Sequence, residues 1–553
     1  MNFYSTGKIK ILPFLPILIG ITSFFLITSG EILIPTNTDW LMEGDPAQHW
    51  IGWQFFRDTP FFQWPLGANP NYGMSIGSSI IFSDSIPLLA FLFKPFNSIL
   101  PEKFQYFGLW ILICFILQSF FAWKLLSRFT KDKMFPVIGS ISFILAPVYL
   151  YRLQFHYALF SHWVLLAAFY LYFSKKYSNF LWLSLLFATA LIHAYLLLMI
   201  IVIWFSDLTQ RYLLKQTEIK NLLSYMFFDA VIISFIMWAV GYFMLGTEVQ
   251  TNDFTTVRMN LLSLIDPEDT WSLVLPNLGG DKTGLDGLNY LGLGMIVLGL
   301  VAVSRFFPHI KISLSKRIIP LFVLCIGLFL YAISNNVSIG THVLFSYDLP
   351  SIVKPLWSTF RYSGRFFWPV YYLLYLSIFY LIFTKFSRRD TLILILCMLF
   401  IQIIDYEKTF FKLGWRFYHI TKWISPMRSV AWDDIAKCYN KIIVILPSND
   451  SPNWVALSEF ASSNQMAINI GSFARISNVK LQKEKEYLTT SIKSNELDPQ
   501  SLYIFQNDEL WNIASMHTSY SDFAGVIDGF RIVAPKLMTC TNVMMLKPSN
   551  TSS

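Results

Sequence analysis

Apolar runs recur through the first 405 positions of the chain, each flanked by Lys/Arg or by Trp/Tyr. About 20 apolar residues in a helix span the hydrocarbon layer of a bilayer, so this spacing predicts a polytopic membrane protein. The first run, "ILPFLPILIGITSFFLITSG", follows Lys8 and Lys10, which sets the N-terminus in the cytoplasm. It exceeds a signal-peptide core and no small-x-small cleavage site follows, so it reads as a retained helix. Further runs lie near 104–126, 135–150, 158–174, 222–245, 318–334 and 390–405, with one more before "SRFFPHIKISLSKR" and one before "KFSRRD". The stretch 178–210 is too long for one comfortable helix and short for two. Splitting it at His193 leaves Arg211, Lys215 and Lys220 in the cytoplasm, as the positive-inside rule requires. The threading gives about eleven helices, N-in and C-out, with every short basic loop on one side. Read as one tilted helix, 178–210 would invert everything after it.

Beyond position 410 the apolar runs shorten and turn residues appear. "KIIVILPSND", "SLYIFQND" and "GFRIVAPK" read as strands, and "NWVALSEFASSNQ" and "LQKEKEYLTTSIKSNEL" as helices. The expected fold is an all-α transmembrane bundle over 1–410, with outward loops at 31–103, 246–288 and 335–366, followed by an extracytoplasmic α/β domain over 411–553 whose ordered part lies near 425–550.

Composition agrees. The 553 residues are 54% hydrophobic and only 14% charged, too little charge to cover a water-soluble protein of this size. The net charge of +8 belongs to cytoplasmic loops and does not imply nucleic acid as a partner. Of the five cysteines, Cys114, Cys325 and Cys397 sit in apolar runs. Cys438 and Cys540 share the tail and can pair if it is exported. None has metal-site spacing, and the tail carries neither a phosphate loop nor a triad motif.

Polar chemistry gathers in the outward loops. The first holds Asp39, Glu43, Asp45, His49, Arg57 and Asp84, with Trp40, Trp50, Trp53 and Trp64 placed as for a membrane interface. "RLQFHYALFSHW" holds Arg152, His156 and His162; the six-residue spacing of the histidines is not that of a helical metal pair. The loop 246–288 carries seven acids and two bases and leads to Asn289 and Tyr290. "WSTFRYSGRFFWP" places Arg361 and Arg365 four apart, on one face of a helical turn, with Ser363 and Gly364 allowing close backbone approach. Two guanidinium forks can cradle a phosphate. Solvated loops, interfacial arginines and hydrogen-bonded histidines explain the same residues without any activity, although ionisable groups at a membrane carry a functional default.

"GDPAQHWIGWQFFRDTPFFQWPLGANPNYGMSIGSSIIFSDSIPLLA", "NYLGLG" and "FRYSGRFFWP" resemble blocks of a bacterial polytopic membrane family of unknown function. Its architecture is similar to the GT-C glycosyltransferase superfamily. The resemblance covers 1–400 and extends to the tail. It implies transfer of a sugar from a polyprenyl-phosphate carrier to a glycan or lipid acceptor of the cell envelope, on the outer face of the bacterial inner membrane. In that superfamily an acid in the first outward loop is the catalytic base or binds a metal. Asp45 of "EGDP" matches that position, with Glu43 second; Gly44 interrupts the usual adjacent pair. Charge on the departing phosphate calls for fixed cations, for which Arg361 and Arg365 are the candidates, with Arg152 third. His156 and His162 can bind phosphate or acceptor, and His49, Asp84 and Tyr290 suit acceptor contact or loop support. No cofactor is obligate. If a divalent cation such as Mg or Mn takes part, Asp45 and Glu43 are its ligands.

The step is an inverting displacement by an acceptor hydroxyl, helped by one general base. A free Asp has a pKa of about 3.9, and partial burial among tryptophans would raise it. The lipid tail would lie in an apolar groove between helices. Two further classes stay open. A transporter or flippase of a lipid-linked glycan should place charged or broken elements near the bilayer midplane. A non-catalytic envelope assembly protein should have no lipid groove.

Overall fold

The computed structural model describes residues 12–246, 257–279, 287–306 and 316–540. These fall into two compact units. A helical unit takes the described residues within Met1–Asn37, Gln105–Ile236 and Gln250–Ile420, and an α/β unit takes those within Thr38–Phe104, Met237–Val249 and Thr421–Ser553.

In the helical unit the expected helices stand close to their expected positions, but many are short. Four described helices are long and apolar enough to cross a membrane: Phe107–Leu126, Ala194–Leu213, Ile219–Ala239 and Ser363–Lys385. Phe135–Ile144 and Pro147–Phe155, bent by 46°, meet the same criterion only together and count as a fifth if they are one broken span rather than a re-entrant loop. Pro147 causes the break, because it lacks the N–H that would continue the first helix's ladder. Five more apolar helices have 10–17 residues, including Phe14–Thr28, Asn179–Ala190 and Ile319–Ile333. Among the described residues, four or five spans qualify by length and composition, against the expected eleven.

The break expected at His193 is present between Asn179–Ala190 and Ala194–Leu213. His193 holds an extended backbone (φ −165°, ψ 137°), and its Nδ1 accepts from the Tyr195 backbone N–H at 3.1 Å. The histidine thus caps the second helix. Arg388–Asp405 and an amphipathic Glu407–Tyr418 close the unit. A two-stranded antiparallel hairpin, β1 (Asn336–Ile339) and β2 (His342–Ser346), stands in the 335–366 loop.

The sheet of the α/β unit is built from β3 (Lys441–Ile445), β4 (Ala467–Ile468), β5 (Ser501–Phe505), β6 (Phe523–Ile527) and β7 (Phe530–Ala534). The strand order is β4-β3-β5-β7-β6. β4, β3 and β5 run parallel, with Lys441 opposite Ser501, and β7 and β6 add an antiparallel edge. The helices Trp454–Ser463 and Asn478–Lys493 make the crossovers that parallel strands need. Ile443, Ile445, Tyr503 and Val533 from the strands, with Leu488 and Ile492 from the second helix, form the core. Cys438 and Cys540 form a disulfide.

This unit also contains the first outward loop, so it divides the chain differently from the sequence reading. Residues 71–73 lie along the free edge of β4: the Ile468 N–H donates to the Asn71 carbonyl at 2.9 Å, and the Gly73 N–H to the Ile468 carbonyl at 2.9 Å. An edge strand that would otherwise expose unpaired backbone groups is covered. The Ala474 N–H donates to the Phe82 carbonyl at 2.7 Å, and Lys103 pairs with Glu459 at 2.8 Å. The loop itself holds a helix that the sequence reading did not anticipate, Gly44–Arg57. Trp50 and Trp53 are buried in it and both donate to the Phe104 carbonyl, at 3.3 and 3.1 Å. They are core residues and not interfacial ones; Trp64, half exposed, packs on Trp238.

Candidate functional site

In the helical unit the turn before Trp368–Lys385 gathers the two arginines. Ser363–Phe367 is a short 3-10 helix, and Arg361 precedes it. The guanidinium of Arg365 lies 4.2 Å from the centre of the Tyr362 ring, and that of Arg361 lies 5.0 Å from the same ring. Arg365 also lies 5.1 Å from the Tyr195 ring. The Tyr362 N–H donates to the Tyr195 hydroxyl at 3.1 Å, which ties the turn to the start of Ala194–Leu213. Gly364 makes the approach possible: a Cβ there would stand 3.0 Å from the Gly287 Cα and 3.1 Å from the Met259 backbone nitrogen. Arg365 is buried and Arg361 half-buried.

The histidines join this cluster through neighbours that sequence reasoning missed. His156 caps Pro147–Phe155 and lies 5.3 Å, ring to ring, from His193. His193 in turn lies 5.5 Å from Tyr195. Arg152 sits over the Trp368 ring at 5.1 Å, and Trp368 packs on His162 at 4.3 Å. His162 Nδ1 hydrogen-bonds the Tyr372 hydroxyl at 2.8 Å, and Gln118 donates to that same hydroxyl at 3.1 Å. His162 is thereby fixed inside the helices by protein partners. The signal for Tyr195, Tyr362 and Trp368 was aromatic content beside cationic residues, which periodicity does not resolve.

Beside the arginine turn an apolar groove of about 490 Å³ runs between Ala194–Leu213 and Ile319–Ile333. Leu198, Val202 and Phe205 line one wall, Val323 and Gly327 the other. Tyr331 and Phe366 form one end, and the Phe366 ring lies 5.6 Å from that of Tyr195. Position 327 carries no side chain, and nothing lies within 4 Å of where one would start. The lining positions from Leu198 to Leu213 cover about 22 Å at 1.5 Å per residue.

Tyr290 belongs to another cluster of the same unit. Its hydroxyl donates to Asp405 Oδ2 at 3.1 Å, and Ser272 Oγ donates to Asp405 Oδ1 at 2.5 Å. That network supports a loop and is fully satisfied. Loop residues 247–256 and 280–286 lie outside the described residues.

The acids of the first loop lie in the α/β unit. Glu43 and Asp45 are exposed, at the N-cap and in the first turn of Gly44–Arg57. The expected burial of Asp45 among tryptophans is therefore corrected: those rings pack inward while the carboxylate points outward. Gly44 between them has φ +59°, a left-handed conformation that glycine adopts without a Cβ penalty. The interruption of the acid pair is thus the turn that starts the helix. His49 is buried, and its Nδ1 donates to the Ser83 carbonyl at 3.0 Å. Asp84 is buried, accepts from Gln48 at 3.4 Å, and holds φ +51°. A non-glycine residue in that region stores strain that its surroundings must sustain. His49 and Asp84 anchor the loop's interior.

A family model described as a domain of unknown function (DUF6311) matches residues 17–407, and the DUF6311 C-terminal domain matches residues 431–535. The gap between the two matches brackets the passage from Glu407–Tyr418 to the tail. No curated protein matches the chain.

Proposed function

We propose that this chain, which belongs to the DUF6311 family, is a membrane glycosyltransferase of GT-C type that uses a polyprenyl-phosphate-linked sugar and modifies a cell-envelope glycan or lipid. The observation that carries the reading is an apolar groove between two helices that ends at Tyr331 and Phe366, beside the turn that stacks Arg361 and Arg365 on Tyr362. A polyprenyl phosphate has the same division, a long apolar chain and a compact anionic head. The groove takes the chain, with dispersion contacts along about 22 Å of helix. The guanidinium groups take the phosphate, and their aromatic platform holds them in place before the ligand arrives.

In the proposed step the acceptor hydroxyl oxygen bonds to the anomeric carbon. The bond from that carbon to the phosphate oxygen breaks, and its electrons leave with the phosphate. The hydroxyl proton passes to a carboxylate. Fixed guanidinium groups stabilise the departing phosphate without reorganising. Asp45 is the carboxylate that the resemblance assigns, with Glu43 second. Both are exposed carboxylates, so if a divalent cation such as Mg or Mn takes part they would hold it, and it would offset charge on the substrate oxygens.

In this reading the loop and the tail lie together on the outer face of the bacterial inner membrane. Segments 38–104, 237–246 and 421–540 fold into one unit, which suits a reading that puts them on the same side of the bilayer. A disulfide between Cys438 and Cys540 fits an exported tail.

The test is transfer of a labelled sugar from polyprenyl-phosphate donors to envelope acceptors by membranes carrying the protein. Wild type transfers label, and Asp45→Asn loses transfer with unchanged folded yield. Full activity in Asp45→Asn removes Asp45 as the base, and no transfer by wild type with any hexosyl donor overturns the enzyme reading.

A further inference from the structure

A second cavity, of about 480 Å³, lies wholly within the α/β unit, where the last turn of Gly44–Arg57 meets the end of Trp454–Ser463. Two cations line it. Arg57 is 6% exposed and Lys94 5%. Arg57 Nη1 donates to the Pro101 and Glu102 carbonyls at 2.9 and 2.8 Å, and its Nε to Asn97 Oδ1. Lys94 Nζ donates to Thr59 Oγ1 at 2.6 Å and to the Pro60 carbonyl at 3.1 Å, and stands 4.0 Å over the Phe56 ring. Neither cation forms an ion pair among the described residues; their direct partners are neutral oxygens, an unusual state for buried charge. The one acid in the lining, Asp58, is exposed and already accepts from Asn97 at 2.9 Å.

The remaining lining is amide and hydroxyl from Asn71, Gln465 and Ser462, and apolar from Phe55, Phe61 and Met466. Amide and hydroxyl groups beside apolar side chains suit a polyhydroxylated ring, whose hydroxyls both give and take hydrogen bonds while its C–H face is apolar. Asp58 and Glu102 act on Arg57, and Asp58 on Lys94, but neither acid pairs directly with either buried cation, so an anion in the cavity would find both still open to a direct charge partner. Thus we propose that this cavity binds an anionic saccharide, one carrying a carboxylate or other fixed negative group, with Lys94 and Arg57 facing the anion and Asn71 and Gln465 facing the hydroxyls. Asp45 stands in the first turn of the same helix that ends at Arg57, about 18 Å away at 1.5 Å per residue, so this is a separate site on the unit. It does not depend on the glycosyltransferase reading.

Burial pushes the Lys94 ammonium down to about 8, with Asp58 opposing. The charged groups around it are Arg57 and Asp58, and the 462–466 edge of the cavity brings none. Anion binding through Lys94 should therefore weaken between pH 7 and pH 9, as the ammonium loses its proton.

The experiment is saturation-transfer NMR and calorimetry on the full chain in detergent micelles, with digalacturonate, maltose and triglutamate as probes. Digalacturonate is expected to bind saturably, with maltose and triglutamate each at least about tenfold weaker. Lys94→Gln is expected to weaken digalacturonate about tenfold or more. Because Lys94 is buried, the exposed pair Asn71→Ala and Gln465→Ala provides a second arm that leaves packing untouched, and it is expected to weaken the disaccharide about fivefold. Equal binding of maltose, equal binding of triglutamate, unchanged binding in the Asn71/Gln465 variant, or no binding of digalacturonate overturns the proposal.

Discussion

The Arg365 guanidinium lies 4.2 Å from the centre of the Tyr362 ring and 5.1 Å from that of Tyr195, so a buried cation rests against two aromatic rings. A lysine at this position cannot reproduce that stacking or offer a planar fork. Charge-assisted hydrogen bonds contribute about 1.5–3 kcal/mol each. Arg365→Gln is expected to raise the Kd for polyprenyl phosphate by about 10- to 100-fold, and Arg365→Lys to recover only part of that loss. Titration of polyprenyl phosphate into the protein in nanodiscs measures both. Equal affinity in all three proteins would remove Arg365 from the phosphate.

Gly327 offers the complementary test in the apolar wall. Glycine inside a helix costs about 1 kcal/mol relative to alanine, and open space surrounds the position. Gly327→Leu is expected to keep or raise the Tm while blocking the groove, so that polyprenyl phosphate binding falls at least about tenfold. Gly327→Ala, which leaves room, is expected to bind as wild type does.

The arginine turn and the groove were only half legible in the chain. The four-residue spacing of Arg361 and Arg365 and the small pair Ser363–Gly364 pointed to a shared turn. The ring between the arginines, Tyr362, carries no periodic signal, because stacking depends on side-chain direction. The same limit explains the helices. The split at His193 followed from the positive-inside rule, whereas the bend at Pro147 escaped because an apolar run reads alike on both sides of a proline. The strands β3, β5 and β7 were legible as short apolar runs ended by turn residues. The join between Gly73 and Ile468 was not, because backbone pairing across 395 positions leaves no local pattern.

Glu268 gives a pH dependence with a definite sign. Burial, then Asp266 and Asp269, push its carboxyl up from 4.5 to about 7. The folded chain therefore keeps a proton that the unfolded chain has lost. Stability falls as pH rises from about 4.5 to about 7 and is level beyond. Glu268→Gln is expected to raise the Tm at pH 8 and to leave it almost unchanged at pH 4, which a thermal melt at each pH would check.

The Cys438–Cys540 disulfide closes a sequence separation of 102 residues that contains all five strands of the sheet. Links of this kind contribute about 2–4 kcal/mol. Cys438→Ser is expected to lower the melting temperature of the α/β unit while leaving polyprenyl phosphate binding within about twofold. Reductant should reproduce that shift in the wild type and have no further effect on the variant.

Where the carrier lipid sits is the central claim, and photolabelling reads it most directly. A polyprenyl phosphate with a diazirine in its chain would be bound to the full-length protein in nanodiscs, irradiated, and the labelled peptides mapped by mass spectrometry. The groove reading predicts label concentrated on residues 198–213 and 319–331, competed by unlabelled polyprenyl phosphate and lost in Gly327→Leu. Label spread evenly over all lipid-facing helices, or concentrated on other helices and unchanged in Gly327→Leu, would contradict it.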